Sequence, residues 1–229
     1  YQCNLACREC NRVCGQAKTS DMVTIDQLER FLDESLKYHK WERIIVAGGE
    51  PTIHPHFVEL MDILKKFVDH VGCSTLLLTN GCGPEVQAGL AKKPKWLPYS
   101  SSKKDPITAG EKFQKFTAAP IDIIPIAQAG NYSFGCSNAT NCGLGFGCYG
   151  IYVCPCAGAI DRVFGFDIGL KSLREVSEDS MRWQMDKLCR FCGHFLRNYP
   201  SWQNYPMELV SWKNALDSYQ KSSPGLSRY

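Results

Sequence analysis

The sequence predicts an α/β fold, a parallel sheet interleaved with helices and followed by a cysteine-rich module. Three observations carry that reading. Short aliphatic runs alternate with stretches of helical period, each aliphatic run ends at a glycine- or asparagine-bearing turn, and 13 cysteines in 229 residues gather into two sets separated by a middle holding only Cys73 and Cys82.

The elements follow in chain order. Tyr1 stands two residues before the first cysteine with no element ahead of it, so a first strand is expected upstream. Thr24 and Gln27 form a capping box before a helix with Leu28, Phe31, Leu32 and Leu36 on one face, and Val23 can staple to Leu28. Arg43 to Ala47, centred on Ile44-Ile45-Val46, reads as a buried strand running into Gly48-Gly49-Glu50-Pro51. A second helix aligns Phe57, Leu60, Leu64, Val68 and Val71. Ser74 to Thr79 is the next buried strand and ends at Asn80-Gly81. Such alternation places functional groups at the C-terminal ends of the strands.

Beyond Pro84 a short helix to about Lys92, a strand around Trp96 to Ser101 and a further strand from Ile121 to Ala127 are expected, with Lys103 and Lys104 on a solvated loop that could meet an anionic substrate. Residues 130–169 hold nine of the 19 glycines and five of the cysteines, as befits a backbone folded tightly around something inorganic. A helix from about Ser177 delivers Cys189 and Cys192. A last helix from Pro206 aligns Leu209, Trp212, Leu216 and Tyr219.

Composition excludes several classes. A formal charge of +3, from 26 basic and 23 acidic side chains, is no nucleic-acid or membrane-surface footprint, and no apolar run reaches the roughly 18 residues of a membrane span. The cysteines are too dilute for a short disulfide scaffold, odd in number and accompanied by no signal peptide, which points to metal ligands in a reducing cytoplasm.

Cys3, Cys7 and Cys10 form C-x3-C-x2-C. Three thiolates leave one iron of a cubane cluster open, whereas a zinc knuckle would need Cys14 or a histidine as a fourth ligand. This loop followed by Gly48-Gly49-Glu50-Pro51 at a strand end resembles the radical SAM superfamily. The resemblance implies a [4Fe-4S] cluster on Cys3, Cys7 and Cys10 whose open iron is chelated by S-adenosyl-L-methionine. Gly48, Gly49, Glu50 and Pro51 would receive the cofactor's ammonium, and reductive cleavage would yield a 5′-deoxyadenosyl radical for hydrogen abstraction. Asn80 is either a second cofactor contact or only the Asn-Gly turn that closes a strand. Glu9 departs from the pattern, standing where many members carry an aromatic or apolar side chain beside the adenine.

The second set is Cys136, Cys142, Cys148, Cys154, Cys156, Cys189 and Cys192. It resembles the twitch form of the SPASM domain family, which carries an auxiliary [4Fe-4S] cluster. That resemblance implies Cys154, after Gly150, with Cys189 and Cys192 as ligands, and Cys136 or Cys142 as the remaining one. Cys148 and Cys156 would be spare thiols near the cluster. Structural zinc is the alternative, since four cysteines alone do not distinguish the metals.

Together these features imply a partial (β/α) TIM-like barrel over residues 1–129, a twitch/SPASM-like auxiliary cluster module with C-terminal helices over 130–222, and a loose tail over 223–229. The expected activity is a cytoplasmic radical SAM oxidoreductase that removes hydrogen from a small polar metabolite, the auxiliary cluster accepting the second electron. An electron donor such as flavodoxin or ferredoxin would supply the first. A ribosomal peptide maturase is the second reading and a non-catalytic iron-sulfur or zinc protein the third. His54 and His56 read as the start of a helix, and Asp161-Arg162 as a charged pair near the auxiliary cluster that would contact substrate.

Overall fold

The computed structural model describes residues 1–103, 115–199 and 210–229. Its centre is a three-stranded parallel sheet of β1 (Arg43–Val46), β2 (Ser74–Thr79) and β3 (Tyr99–Ser101), in that order, with Ile45 opposite Leu76 and Leu77 opposite Tyr99. Parallel neighbours require crossovers, and helices supply both. Helix α1 (Ile25–Tyr38) precedes β1, α2 (Phe57–Val71) joins β1 to β2, and α3 (Pro84–Ala91) joins β2 to β3. No closure into a barrel is present among the described residues.

The local signals explain the helices. Thr24 caps α1 through the expected box, its hydroxyl accepting from the Gln27 amide while the Gln27 side chain accepts from the Thr24 amide. On α2, Phe57, Leu60, Met61, Leu64 and Phe67 are buried and repeat every three or four residues, and Gly72 ends the helix in the left-handed region at φ 73°. The stripe packs with Leu77 and Leu97 under the sheet, each full burial of such a side chain stabilising by roughly 1.5–3 kcal/mol. The buried face of α1 is rotated from the sequence expectation. Gln27, Phe31, Leu32 and Ser35 turn inward, whereas Leu36 is 52% exposed. Gln27 takes the inward place because its amide has buried partners, the carbonyls of Cys148 and Tyr229.

The strand expected over Ile121 to Ala127 is absent. That segment forms a 3-10 turn, Pro120–Asp122, followed by the short helix α4 (Ile124–Ala129). Pro120 and Pro125 both sit in first-turn positions where a missing N–H leaves no helical bond unmade, so the apolar run is read out as helical turns. The carboxylate of Asp122 accepts from the Ser211 amide and hydroxyl and so caps the first turn of α8 (Val210–Lys221) from a distant part of the chain. Pro206 and Leu209, the expected start of that last helix, lie outside the described residues, as does Lys104.

The cysteine-rich part comprises α5 (Ser137–Asn141), a hairpin of β4 (Gly145–Gly147) and β5 (Gly150–Tyr152), α6 (Ala157–Phe164), α7 (Glu178–Leu188) and α8. Ser177 caps α7, as its sequence indicates. Gly150 has φ 138°, and a Cβ there would lie 2.6 Å from the Leu170 carbonyl oxygen, so only glycine fits.

Apolar contacts cross residue 130 in two places. Val13 and Ala17 pack with Tyr152, Ile160, Trp212 and Tyr219, while Phe31, Leu64 and Leu77 share a core with Ile151, Leu173 and Tyr229. Arg162, 1% exposed, clamps the first of these seams. Its guanidinium donates to the carbonyls of Ala17, Arg12 and Val13 and to the Tyr219 hydroxyl, and lies over the Tyr1 ring at 4.6 Å. Asp161 faces elsewhere, accepting from Tyr152 and from the Ile168 amide, and its burial raises the carboxyl's pKa. Both side chains therefore turn into the protein, with Arg162 Nε buried and without a partner among the described residues.

Residues 223–229 contain no helix or strand, yet the segment is not loose at its end. The Tyr229 amide donates to the Cys148 carbonyl, its hydroxyl to Glu34, and its ring, 6% exposed overall, meets Phe146 edge-on under the Arg30 guanidinium. Among the described residues, no helix is long and apolar enough to cross a membrane. Replacing Tyr229 by alanine should lower stability by about 3 kcal/mol, measured by urea unfolding, as expected for an aromatic lost from a packed site. A change below about 0.5 kcal/mol would mean that the contact is incidental.

Candidate functional site

The first cysteine set lies on residues 1–17, a segment without helix or strand that runs against the C-terminal ends of β1 and β2. Its entry is fixed by backbone contact. The Glu50 amide donates to the Gln2 carbonyl at 2.9 Å, and a Cβ on Gly49 would come within 2.1 Å of that same oxygen. Gly49 is thus needed for the close approach of the loop to the strand end. Gly48 differs: a Cβ there would meet nothing within 4 Å. Of the two glycines, it is Gly48 that borders open space.

Glu50 is buried, and its carboxylate gathers the strand ends together. Oε1 accepts from the Thr52 amide and hydroxyl and from the Thr79 hydroxyl, and Oε2 accepts from the Asn80 amide at 2.7 Å. Pro51 opens the 3-10 turn that Glu50 caps. Asn80 carries the linkage onward. Its Nδ2 donates to Asn4 Oδ1 at 2.8 Å and points at Cys3 Sγ at 3.8 Å, while its Oδ1 accepts from the Cys82 amide. Asn4 returns the contact by donating to the Cys82 carbonyl at 2.7 Å. The Asn-Gly pair closes the strand and also holds the cysteine loop.

Within the loop, Cys7 is buried and Cys3 and Cys10 are partly exposed. Burial raises the Cys3 pKa, and Cys10, Glu50 and Cys7 add to the rise. A hydrogen bond from the Cys14 thiol lowers Cys10 to about 5, and the same bond drives Cys14 up. Val13 stands at φ 53°, a left-handed conformation that costs a β-branched residue about 1–3 kcal/mol. Arg162, gripping the Val13 and Ala17 carbonyls, holds it there.

The second set surrounds a small cavity lined by Cys136, Cys154, Cys156, Cys189 and Cys192 together with Leu188, His194 and Phe195. Cys136 N-caps α5, Cys156 N-caps α6, and Cys189 and Cys192 follow the end of α7, so helix termini aim the thiols inward. Burial pushes Cys189 up to about 12. Cys154 is raised, first by its hydrogen bond to Cys156, and Cys156 is correspondingly lowered, with His194 and Arg12 contributing. Cys142 caps the far end of α5, is exposed and is not part of the cavity wall. Cys148 lies on another side, where its carbonyl receives Gln27 and Tyr229. Of the two alternatives for the remaining position, the cavity contains Cys136.

Several residues at the seam carry no sequence signal for their role. Glu9 accepts from the Thr117 amide and hydroxyl, the Gly193 amide donates to the Phe116 carbonyl, and Arg12 donates to Cys156 Sγ at 3.5 Å. The strand of chain around Thr117 is therefore pinned to the first loop on one side and to the second set on the other. His54 and His56 begin α2 as expected, with the His54 ring bonded to the Val23 carbonyl. Among the described residues, no three His, Cys, Asp or Glu side chains converge to hold a single metal ion. The thiols of the second set instead spread around a space.

No family model matches the chain, and no solved structure matches it. It is 38% identical over 93 residues to the mycofactocin maturase MftC of Mycobacterium ulcerans, covering 40% of this chain and 24% of that protein. It is 40% identical over 78 residues to the 7-carboxy-7-deazaguanine synthase of Neisseria meningitidis, 33% of this chain and 34% of that protein. A tungsten-containing aldehyde ferredoxin oxidoreductase cofactor-modifying protein of Pyrococcus furiosus matches at 33% over 75 residues, 32% of this chain and 21% of its own. The chain thus spans a fifth to a third of the length of these relatives. These are partial, distant homologies to radical SAM enzymes.

Glu50→Ala leaves the Thr52 and Thr79 hydroxyls and the Asn80 amide unpaired at a buried position. It should cost about 4 kcal/mol by denaturant unfolding. A loss under about 1 kcal/mol would show that water replaces the carboxylate freely.

Proposed function

We propose that the protein is a radical SAM enzyme. The observation that carries this reading is the seating of the Cys3, Cys7 and Cys10 loop on the ends of β1 and β2, through Gln2 to Glu50 and through Asn4 to Asn80, with Gly48 open beside it. The donor set fits the implied group. Three thiols on one short loop match a cluster with one open iron, and a glycine that borders free space at a strand end leaves room for a cationic amine. The partial likeness to radical SAM enzymes supports the same reading. When bound, the cluster supplies the electron for reductive cleavage of S-adenosyl-L-methionine.

The chain's own residues then have distinct tasks. Cys3, Cys7 and Cys10 hold the first [4Fe-4S] cluster, and Asn80 orients Cys3. Gly48 leaves room for the ammonium and carboxylate end of the cofactor, and Gly49 lets the loop approach. Glu50 acts through the strand ends, as a positioning residue, and Pro51 sets the turn behind it. Cys136, Cys189 and Cys192 with a thiol of the Cys154-Pro155-Cys156 turn hold an auxiliary [4Fe-4S] cluster in the second cavity, and Cys142 stays outside it. The two sites meet along the seam of Arg12, Glu9 and Thr117, which suits electron passage between them during oxidation of a small polar metabolite in the cytoplasm, with a flavodoxin or ferredoxin as donor. The likeness to a maturase favours a second reading, modification of a ribosomal peptide. A two-dalton loss in the product marks net oxidation, and an unchanged mass marks epimerisation.

Anaerobic reconstitution should give about eight irons per chain, and the Cys3, Cys7 and Cys10 triple alanine variant about half, with no cleavage of S-adenosyl-L-methionine. Unchanged iron in the triple variant, or stoichiometric zinc in the native protein, would overturn the assignment. Gly48→Val should keep the iron and weaken S-adenosyl-L-methionine binding at least tenfold by equilibrium titration, roughly 1.4 kcal/mol. Native affinity in that variant would remove Gly48 from the cofactor site.

A further inference from the structure

The wall of the second cavity presents five thiols, one more than a closed four-iron site uses, and the surplus lies in the turn Cys154-Pro155-Cys156. The two cysteines of that turn are equally deep, at 8% and 5% exposure, so burial does not separate them. Their surroundings do. Cys156 is the N-cap of α6, an eight-residue helix whose positive dipole end favours a thiolate at that position. Its sulfur also accepts an N–H from Arg12 at 3.5 Å. Arg12 is itself held in place, since its carbonyl accepts from Arg162.

A ligand sulfur in a buried cluster site needs outer donors, and a cluster with four thiolates needs nearby positive charge. The structure brings both to Cys156. Arg12 comes from two residues past Cys10, so this donor belongs to the first cysteine loop.

We propose that Cys156, in place of Cys154, is the fourth protein ligand of the second centre beside Cys136, Cys189 and Cys192, with the guanidinium of Arg12 donating to its sulfur. This rests on the reading of the cavity as an auxiliary-cluster site. Arg12 is then a positioning residue that sets the potential of one centre from the loop that carries the other. A positive charge at a ligand sulfur stabilises the more negative, reduced centre, so its presence raises the potential.

The test uses the full chain, reconstituted anaerobically with iron and sulfide, with Cys156→Ala and Cys154→Ala made separately. Iron per chain and the electron paramagnetic resonance spectrum of the reduced protein are measured. The native protein and Cys154→Ala should hold about eight irons with two signals, and Cys156→Ala about four with one. Retention of both signals in Cys156→Ala, or loss of one in Cys154→Ala, overturns the assignment. Should Cys156→Ala not fold by circular dichroism, the Cys154→Ala arm decides alone, in either direction. About four irons in the native protein would instead defeat the underlying auxiliary-cluster reading, an outcome distinct from the others. In Arg12→Gln with full iron, a redox titration should move the second centre to more negative potential, and Arg12→Lys should recover part of the shift. An unchanged potential in Arg12→Gln overturns the role given to Arg12.

Discussion

A carboxylate withdrawn from water must be met by donors, and Glu50 is met by four, the Thr52 amide and hydroxyl, the Thr79 hydroxyl and the Asn80 amide. Those donors belong to the turn after β1 and to the end of β2, so satisfying one buried group fixes two strand ends against each other. Asn80, held by that bond, is then placed to hold Asn4 and Cys3. A loop with no helix or strand of its own thereby acquires a defined position from a single side chain some 47 residues away in sequence from the cysteine it serves.

The same economy governs the join between the sheet and the cysteine-rich part. Val13 and Ala17 are core residues of the latter, although they lie in the segment that docks on the former. Arg162 spends its guanidinium on the carbonyls of that segment, and Glu9 and Gly193 reach the chain around Thr117 from opposite sides. Because the loop is packed by both halves, neither cysteine set can shift without disturbing the other. A long arginine suits this task, since its fork can satisfy several carbonyls from one fixed plane.

Much of this was legible in the residues wherever the signal was local. Thr24 with Gln27, the aliphatic run at β2 and the stripe on α2 each express a period or a cap within a few positions, and each element formed over the residues read, although Ile45 on β1, Leu78 on β2 and Val71 on α2 are exposed where burial was expected. The apolar run from Ile121 misled because its prolines, which set helical turns, were outweighed by its β-branched residues. What depends on distant partners was not legible. Nothing near Gln27 says that it reaches Tyr229, and nothing in the spacing separates Cys136 from Cys142, which lie at opposite ends of one short helix and differ only in which end faces the cavity. The motif gives Glu50 its expected place in cofactor binding, whereas its four partners are defined by the fold.

None of the thirteen cysteines is joined in a disulfide, and two pairs of them, Cys10 with Cys14 and Cys154 with Cys156, lie only four and two residues apart in sequence. Neighbouring thiols can also be oxidised together, by oxygen, to a disulfide. In an iron-free chain each cysteine set therefore holds its own competitor for the metal, and oxygen and iron contend for the same sulfurs. The order in which they arrive, a matter of handling and of cellular supply and not of affinity, decides whether a given molecule matures or is locked shut.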